Sequence, residues 1–152
     1  MKKLFLISAF VIVVSYATFA HEGHEHATGF VRERMELMTE MGKRLLATSK
    51  RLRANKDLDL IGPDARAIQE LAGKIASQFP LGSTQFPTAA KPVVWQQWDD
   101  FTEKAKKLQM EAERLSKISL SEANAFRTQF RAVGSACDAC HEIYRVPKGN
   151  AR

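Results

Sequence analysis

Cysteine is scarce in this chain: only two of its 152 residues are cysteines, Cys137 and Cys140. A structural zinc site needs four ligands, usually from two such pairs, and the chain has no second pair. A thioredoxin-like pair needs a strand–helix–strand setting, and no alternating strand pattern lies near these cysteines. A structural disulfide remains open in an oxidising compartment, but it leaves the adjacent His141 unexplained. The lack of a second cysteine pair therefore argues against a zinc site, and the lack of a strand pattern argues against a thioredoxin-type site.

Long apolar runs are also scarce. The one extended run covers residues 4–14 and directly follows two lysines. Thr18 and Ala20 then place small residues at the −3 and −1 positions that signal peptidase prefers. The run is short for a membrane span. We therefore predict that residues 1–20 are a cleaved signal peptide, that the protein is periplasmic, and that it has no stable membrane insertion after cleavage. An uncleaved anchor is the alternative.

The mature chain has little excess charge of either sign. Removing the two leader lysines from 23 basic residues leaves 21, against 17 acidic residues, for a net charge of +4. No basic stripe interleaved with aromatic residues appears, which argues against a nucleic-acid partner. A mild positive charge favours acidic protein partners.

What the chain does contain is the run Cys137-Asp138-Ala139-Cys140-His141, the attachment signature of c-type haem. Positions i, i+3 and i+4 share one face of a helix, so the two thiols and the imidazole point the same way if the segment is helical. We predict one covalent haem c, with thioether bonds to Cys137 and Cys140 and with His141 as the proximal ligand of the iron.

Apolar residues recur at helical spacing along the mature chain. We predict a first helix from Phe30 to near Asn55, a second beginning at Gly62, a long connection over residues 80–91, a third helix carrying an apolar stripe from Val94 to Leu115, and a fourth that stops before Pro147. The predicted inward residues are Phe30, Arg34, Met38, Met41, Leu45, Thr48 and Leu52, then Ile68, Leu71, Ala72, Ile75 and Phe79, then Val94, Trp98, Phe101, Ala105, Leu108, Ala112 and Leu115, and finally Ala123, Phe126, Phe130, Val133, Cys137, Cys140 and Tyr144. This pattern predicts an all-α fold, an antiparallel four-helix bundle with the haem near its C-terminal helix.

With a helical bundle and a C-terminal haem motif, the chain resembles the class II cytochromes c, the cytochrome c′ family. The resemblance rests on Cys-x-Ala-Cys-His-x-x-Tyr-Arg ending at Arg145, on Trp95 and Phe101 after Pro92, and on Arg34-x-x-x-Met38-x-x-Met41-Gly42. It implies a bundle domain over residues 30–148. From the sequence we also predict a flexible His-rich terminus at residues 21–29 before this domain and a tail at residues 149–152 after it.

The first helix bears on the chemistry of the iron. In the low-spin subgroup of the family, the position four after the arginine is a methionine that supplies the sixth ligand, and Met38 stands there. Periodicity alone does not choose between Met38 and Met41. The resemblance also implies that Arg34 pairs with a haem propionate, and Arg145, one turn beyond His141, is placed to shield the proximal imidazole. A surface position is the alternative for both arginines.

The resulting hypothesis is a periplasmic electron carrier with one low-spin haem ligated by histidine and methionine, serving redox protein partners and acting as no enzyme. The first alternative is a cytochrome c′-like protein with five-coordinate iron that binds NO or CO. The second is a metal-handling protein, because His21, His24 and His26 with a free amine could hold Cu(II) or Ni(II). The resemblance also allows a homodimer through the first two helices.

Overall fold

The computed structural model describes residues 26–119 and 122–147, and it is helical throughout its regular parts. The helices are α1 (Gly29–Ala54), α2 (Ile61–Ala72), α3 (Val93–Gln96), α4 (Trp98–Ser116) and α5 (Ala123–Tyr144), with single 3₁₀ turns at Leu58–Leu60 and Ala76–Gln78. The four longer helices form a bundle, and these ranges contain no strand, so the predicted all-α class is confirmed. The predicted signal peptide, most of the His-rich terminus and the tail from residue 148 onward lie outside the described residues.

The bundle is built by α2 packing on α4, α4 packing on α5, and α1 packing on α2. An ionic contact fastens α1 to α2, where buried Asp64 accepts hydrogen bonds from Arg44, at 3.2 Å, and from Arg51. α1 ends at Ala54, as its period predicts, and Asn55 follows in the left-handed conformation with φ 49°, which asparagine tolerates better than most residues. None of the helices within the described ranges has the length and apolar character that a membrane crossing requires.

The third helical segment differs from the predicted pattern because it is broken at Gln97, where φ is −122° and ψ is 48°. The break shifts the helical period, so Trp98, predicted inside, has 38% of its surface exposed. Trp95 instead packs against the core and donates its indole N–H to the carbonyl oxygen of Phe79 at 3.0 Å. Phe30, also predicted inside, is 46% exposed because it lies in the first turn of α1, at the end of the bundle.

The second helix is shorter than its apolar stripe. It ends at Ala72, and the chain continues through a 3₁₀ turn before Phe79. Ile75 and Phe79 are nevertheless buried. The stripe therefore predicts correctly which residues enter the core, although the backbone there is not one helix.

A buried carboxylate fastens α4 to α5 at the end of the pair remote from the cysteines. Glu111 accepts hydrogen bonds from Lys107 at 2.7 Å, from Arg114 at 2.9 Å and from the side-chain amide of Gln129 on α5 at 2.6 Å. These donors, the Lys107 ammonium first, lower the pKa of Glu111 below its usual value. The ionised form is therefore favoured by folding.

The Glu111→Gln variant is expected to reduce stability more at pH 7 than at pH 3. A carboxyl whose pKa is lower in the folded chain stabilises the fold above its unfolded pKa of about 4.3, and this contribution is lost as pH falls through the folded value. Thermal unfolding of wild type and variant at both pH values measures the difference. Glu103→Gln, an exposed position of the same helix, is the control, and an equal loss at both pH values would contradict the assignment.

Candidate functional site

One cavity of about 520 Å³ opens between α1, α4 and α5 and is closed on another side by the segment that connects α2 to α3. Its lining is predominantly apolar, with contributions from Phe79, Val94 and Leu108. The structure brings to this cavity every residue for which the sequence predicts a role at the haem. These are Arg34, Met38, Met41, Cys137, Cys140, His141 and Arg145.

The two cysteines and His141 lie in the last two turns of α5 on the face that lines the cavity. All three side chains are partly buried, and both thiols are free. Burial raises the pKa of each thiol to about 11, and the carboxylate of Asp138 adds to the effect at Cys137. Both sulfurs are therefore protonated thiols near neutral pH. The helical spacing places two thioether-forming groups and a ring nitrogen beside the same apolar space, as haem attachment requires.

Arg34 is a buried cation in the cavity wall, with only 4% of its surface exposed. One amino group donates to the carbonyl oxygen of Ser83, and the guanidinium carbon lies 4.7 Å from the centre of the Phe79 ring. Its Nε and Nη1 atoms have no hydrogen-bond partner among the described residues, and burial lowers its pKa. A buried guanidinium with unpaired donors beside a cavity needs an anion. A haem carboxylate fits that need.

Three methionines of α1 line the same cavity: Met35, Met38 and Met41. Met41 is the most buried, at 5% exposed, whereas the other two are partly buried. A thioether sulfur is therefore available on the α1 wall at more than one position. The structure brings both predicted candidates, Met38 and Met41, to the site without choosing between them.

Three aromatic residues, Phe79, Phe101 and Tyr144, form an aromatic wall of the cavity that no local sequence pattern predicts. The ring centres of Phe79 and Phe101 are 4.8 Å apart, and those of Phe101 and Tyr144 are 5.2 Å apart, both edge to face. Phe101 and Tyr144 belong to the predicted stripes of two different helices, and Phe79 lies beyond α2. Each residue is predictable as core, but their meeting depends on how the elements pack.

A polar group adjoins this wall. Tyr144 donates its hydroxyl to Asp100, and Asp100 pairs with Lys104, which lines the cavity, at 3.4 Å. Burial and the Asp100 carboxylate raise the pKa of Tyr144 to about 12, and the same hydrogen bond is the main cause that lowers the pKa of Asp100. The i, i+4 spacing of Asp100 and Lys104 is a sequence signal for the ion pair, whereas nothing local indicates Tyr144 as its third member.

Arg145 follows α5 and lies partly buried at the cavity. Its backbone N–H donates to the carbonyl oxygen of His141 at 3.1 Å, and its backbone pairs with Ala90 in an isolated antiparallel bridge. The bridge holds the segment of residues 88–90 against the end of α5, so this segment forms part of the cavity wall.

Three N-terminal histidines are predicted as possible metal ligands. His21 and His24 lie outside the described residues, and His26 is exposed. Within residues 26–119 and 122–147, no group of three or more His, Cys, Asp or Glu side chains is arranged to hold a metal ion.

The family model described as cytochrome C′ matches residues 30–145 of the chain. A curated relative, cytochrome c-556 of Agrobacterium fabrum, is 30% identical over 128 residues, which cover 83% of this chain and 87% of the relative. The crystal structure of cytochrome c′ from Thermochromatium tepidum has a TM-score of 0.72 at 25% identity, covering 78% of this chain and 95% of that one. A second solved cytochrome c′, described as having a ligand-controlled dimer dissociation, has the same TM-score and coverage at 24% identity.

Proposed function

Because this chain belongs to the cytochrome c′ family, we propose that it is a periplasmic one-electron carrier in which His141 and Met38 would ligate the haem iron. The family binds covalent haem c, and the single Cys-x-x-Cys-His motif accounts for one such group in this chain. When bound, haem c supplies an iron that changes between Fe(III) and Fe(II) by one electron. The observation that carries the proposal is one cavity lined by both cysteines, His141 and Met38.

Each wall of the cavity has its own part in this function. Cys137 and Cys140 anchor the porphyrin to α5, and His141 offers a ring nitrogen from the same helix face. Arg34 offers the unpaired N–H donors of its Nε and Nη1 atoms to a propionate, which offsets the cost of burying the guanidinium. Arg145 covers the His141 end of the cavity. The aromatic wall limits the access of water, which influences the reduction potential.

Met38 carries the finer part of the proposal. A thioether is a soft ligand that favours Fe(II), so ligation by methionine and histidine raises the reduction potential compared with two nitrogen ligands. A thioether on the iron also keeps small molecules from binding there, which suits electron transfer at the haem edge. The sequence spacing Arg34-x-x-x-Met38 and the partly buried position of Met38 in the cavity wall support this choice.

A second candidate is a five-coordinate haem protein that binds NO or CO on an open distal side. The comparisons favour it over the low-spin subgroup, because the family model and the solved structures carry the name cytochrome c′. One solved cytochrome c′ is described as a dimer whose dissociation is controlled by a ligand. This description also supports a homodimer as a proposal for the present chain, beside redox partners of unidentified kind.

A visible spectrum of the ferric protein, followed by reduction under CO, decides between the two candidates. Ligation by Met38 predicts a low-spin ferric spectrum with a weak sulfur-to-iron charge-transfer band in the far red and little reaction with CO. A high-spin ferric spectrum with rapid CO binding would instead establish the gas-binding candidate. Cleavage before His21 is tested by the mass of the protein purified from the periplasm.

A further inference from the structure

The proximal ligand lies close to the end of its helix. α5 ends at Tyr144, so His141 is in the last turn, where helices tend to fray, and its own carbonyl accepts the N–H of Arg145 at 3.1 Å. A ligand on a fraying turn would take several orientations toward the iron. The contacts that hold this turn therefore bear directly on His141.

Tyr144 holds the last turn in three ways. Its ring lies edge to face with Phe101 of α4, with ring centres 5.2 Å apart. Its backbone carbonyl accepts the N–H of Lys91 at 2.9 Å. Its hydroxyl donates to a carboxylate oxygen of Asp100 at 2.5 Å and lies 3.3 Å from the side-chain oxygen of Gln97. A phenol has one proton, and the charged oxygen at the shorter distance is the stronger acceptor.

The acceptor belongs to the neighbouring helix. Asp100 lies in the first turn of α4, directly after the break at Gln97, and pairs with Lys104 one turn further on. The hydroxyl of Tyr144, a residue that is 97% buried, thus reaches from the end of α5 to the first turn of α4. The last turn of α5 is therefore joined to α4 by a directional hydrogen bond as well as by packing of the ring.

We propose that Tyr144 is a positioning residue for His141, acting through its hydrogen bond to Asp100. Through this bond the imidazole would be held in one orientation, so that it could ligate the haem iron in one way only. This inference rests on the proposed role of His141 as the proximal ligand, but it is independent of whether Met38 occupies the distal side.

The chain offers a matched control on the same pair of helices. The amide of Gln129 on α5 donates to Glu111 on α4 at 2.6 Å, three turns before His141. Neither of these residues lines the cavity. Loss of the Gln129–Glu111 bond removes a hydrogen bond between α4 and α5, as loss of the Tyr144–Asp100 bond does, but leaves the last turn of α5 unchanged.

The test uses the haem-loaded ferric protein and compares Tyr144→Phe, Asp100→Asn, Asp100→Ala and Gln129→Leu with wild type. Electron paramagnetic resonance counts the distinct ferric species, and thermal unfolding measures stability. Wild type is expected to give one set of g-values. Tyr144→Phe and Asp100→Ala are expected to give two or more sets, whereas Asp100→Asn, which keeps an oxygen acceptor, keeps one set. Gln129→Leu is expected to lower the unfolding midpoint by about 2–8 °C with its single set unchanged.

A single unchanged set of g-values in Tyr144→Phe, with only a lower unfolding midpoint, would show that Tyr144 is merely structural. If that variant does not retain haem, Asp100→Ala gives the same decision. A high-spin wild-type signal would overturn ligation by Met38 and still allow the species to be counted, so failure of the positioning role and failure of the proposed distal ligand are distinguishable.

Discussion

Replacing both Cys137 and Cys140 with alanine is expected to give a chain from which acid acetone extracts all of the haem. Covalent retention depends on thioether bonds to these two sulfurs, and the chain has no other cysteine to replace them. The wild-type protein should keep its haem through the same extraction and on denaturing gels. Cys140→Ser alone is expected to leave one thioether or to give no stable holoprotein.

The loss of haem should also cost most of the stability. Without haem, the predominantly apolar lining of this cavity, about 520 Å³ in volume, faces water. Burial of apolar surface is the main term that stabilises a small domain, whose whole stability is only about 5–15 kcal/mol. The double variant is therefore expected to be largely unfolded without haem, which circular dichroism measures.

Asp138→Asn is the control for this prediction, because Asp138 lies between the two cysteines but is exposed and does not line the cavity. It should retain haem and helicity as wild type does. Wild-type protein whose colour passes into the organic phase would contradict covalent attachment itself.

The parts of the fold that sequence alone predicts are those that depend on local spacing. The 3.6-residue period locates the four long helices and most of their buried residues, and Cys137, Cys140 and His141 share a helix face wherever that helix packs. The spacing of apolar residues does not reveal the break at Gln97. Because of this break, Trp95 packs against the core and Trp98 is exposed. Helix propensity alone does not indicate where tertiary packing interrupts a helix.

The parts of the site that sequence does not predict are those that join distant residues. The carbonyl of Ser83 lies 49 positions from Arg34 in the chain, and the Tyr144 hydroxyl meets Asp100 across 44 positions. Neither contact leaves a local pattern. The family spacing indicates Arg34 as a propionate partner. Only the packed structure shows that its guanidinium is buried and that Nε and Nη1 have no hydrogen-bond partner among the described residues.

Met38→Ala is expected to convert the ferric haem from low spin to high spin, abolish the far-red charge-transfer band, and open the iron to rapid binding of CO. Alanine has no sulfur to offer, and the shorter side chain leaves space on the α1 side of the cavity. The visible spectrum and the rate of CO binding after reduction measure these changes. The reduction potential should fall as well, because the soft ligand that favours Fe(II) is gone.

Met41→Ala is the matched control, since Met41 lies one turn further along the same helix and lines the same cavity. Met41 is 5% exposed, so its truncation should cost about 2–5 kcal/mol of stability while the band and the spin state persist. Loss of the band in Met41→Ala alone would keep methionine ligation but move the ligand one turn along α1. Retention of a wild-type spectrum in Met38→Ala and in Met41→Ala would remove both as ligands, because a sulfur absent from the chain cannot contribute to the band.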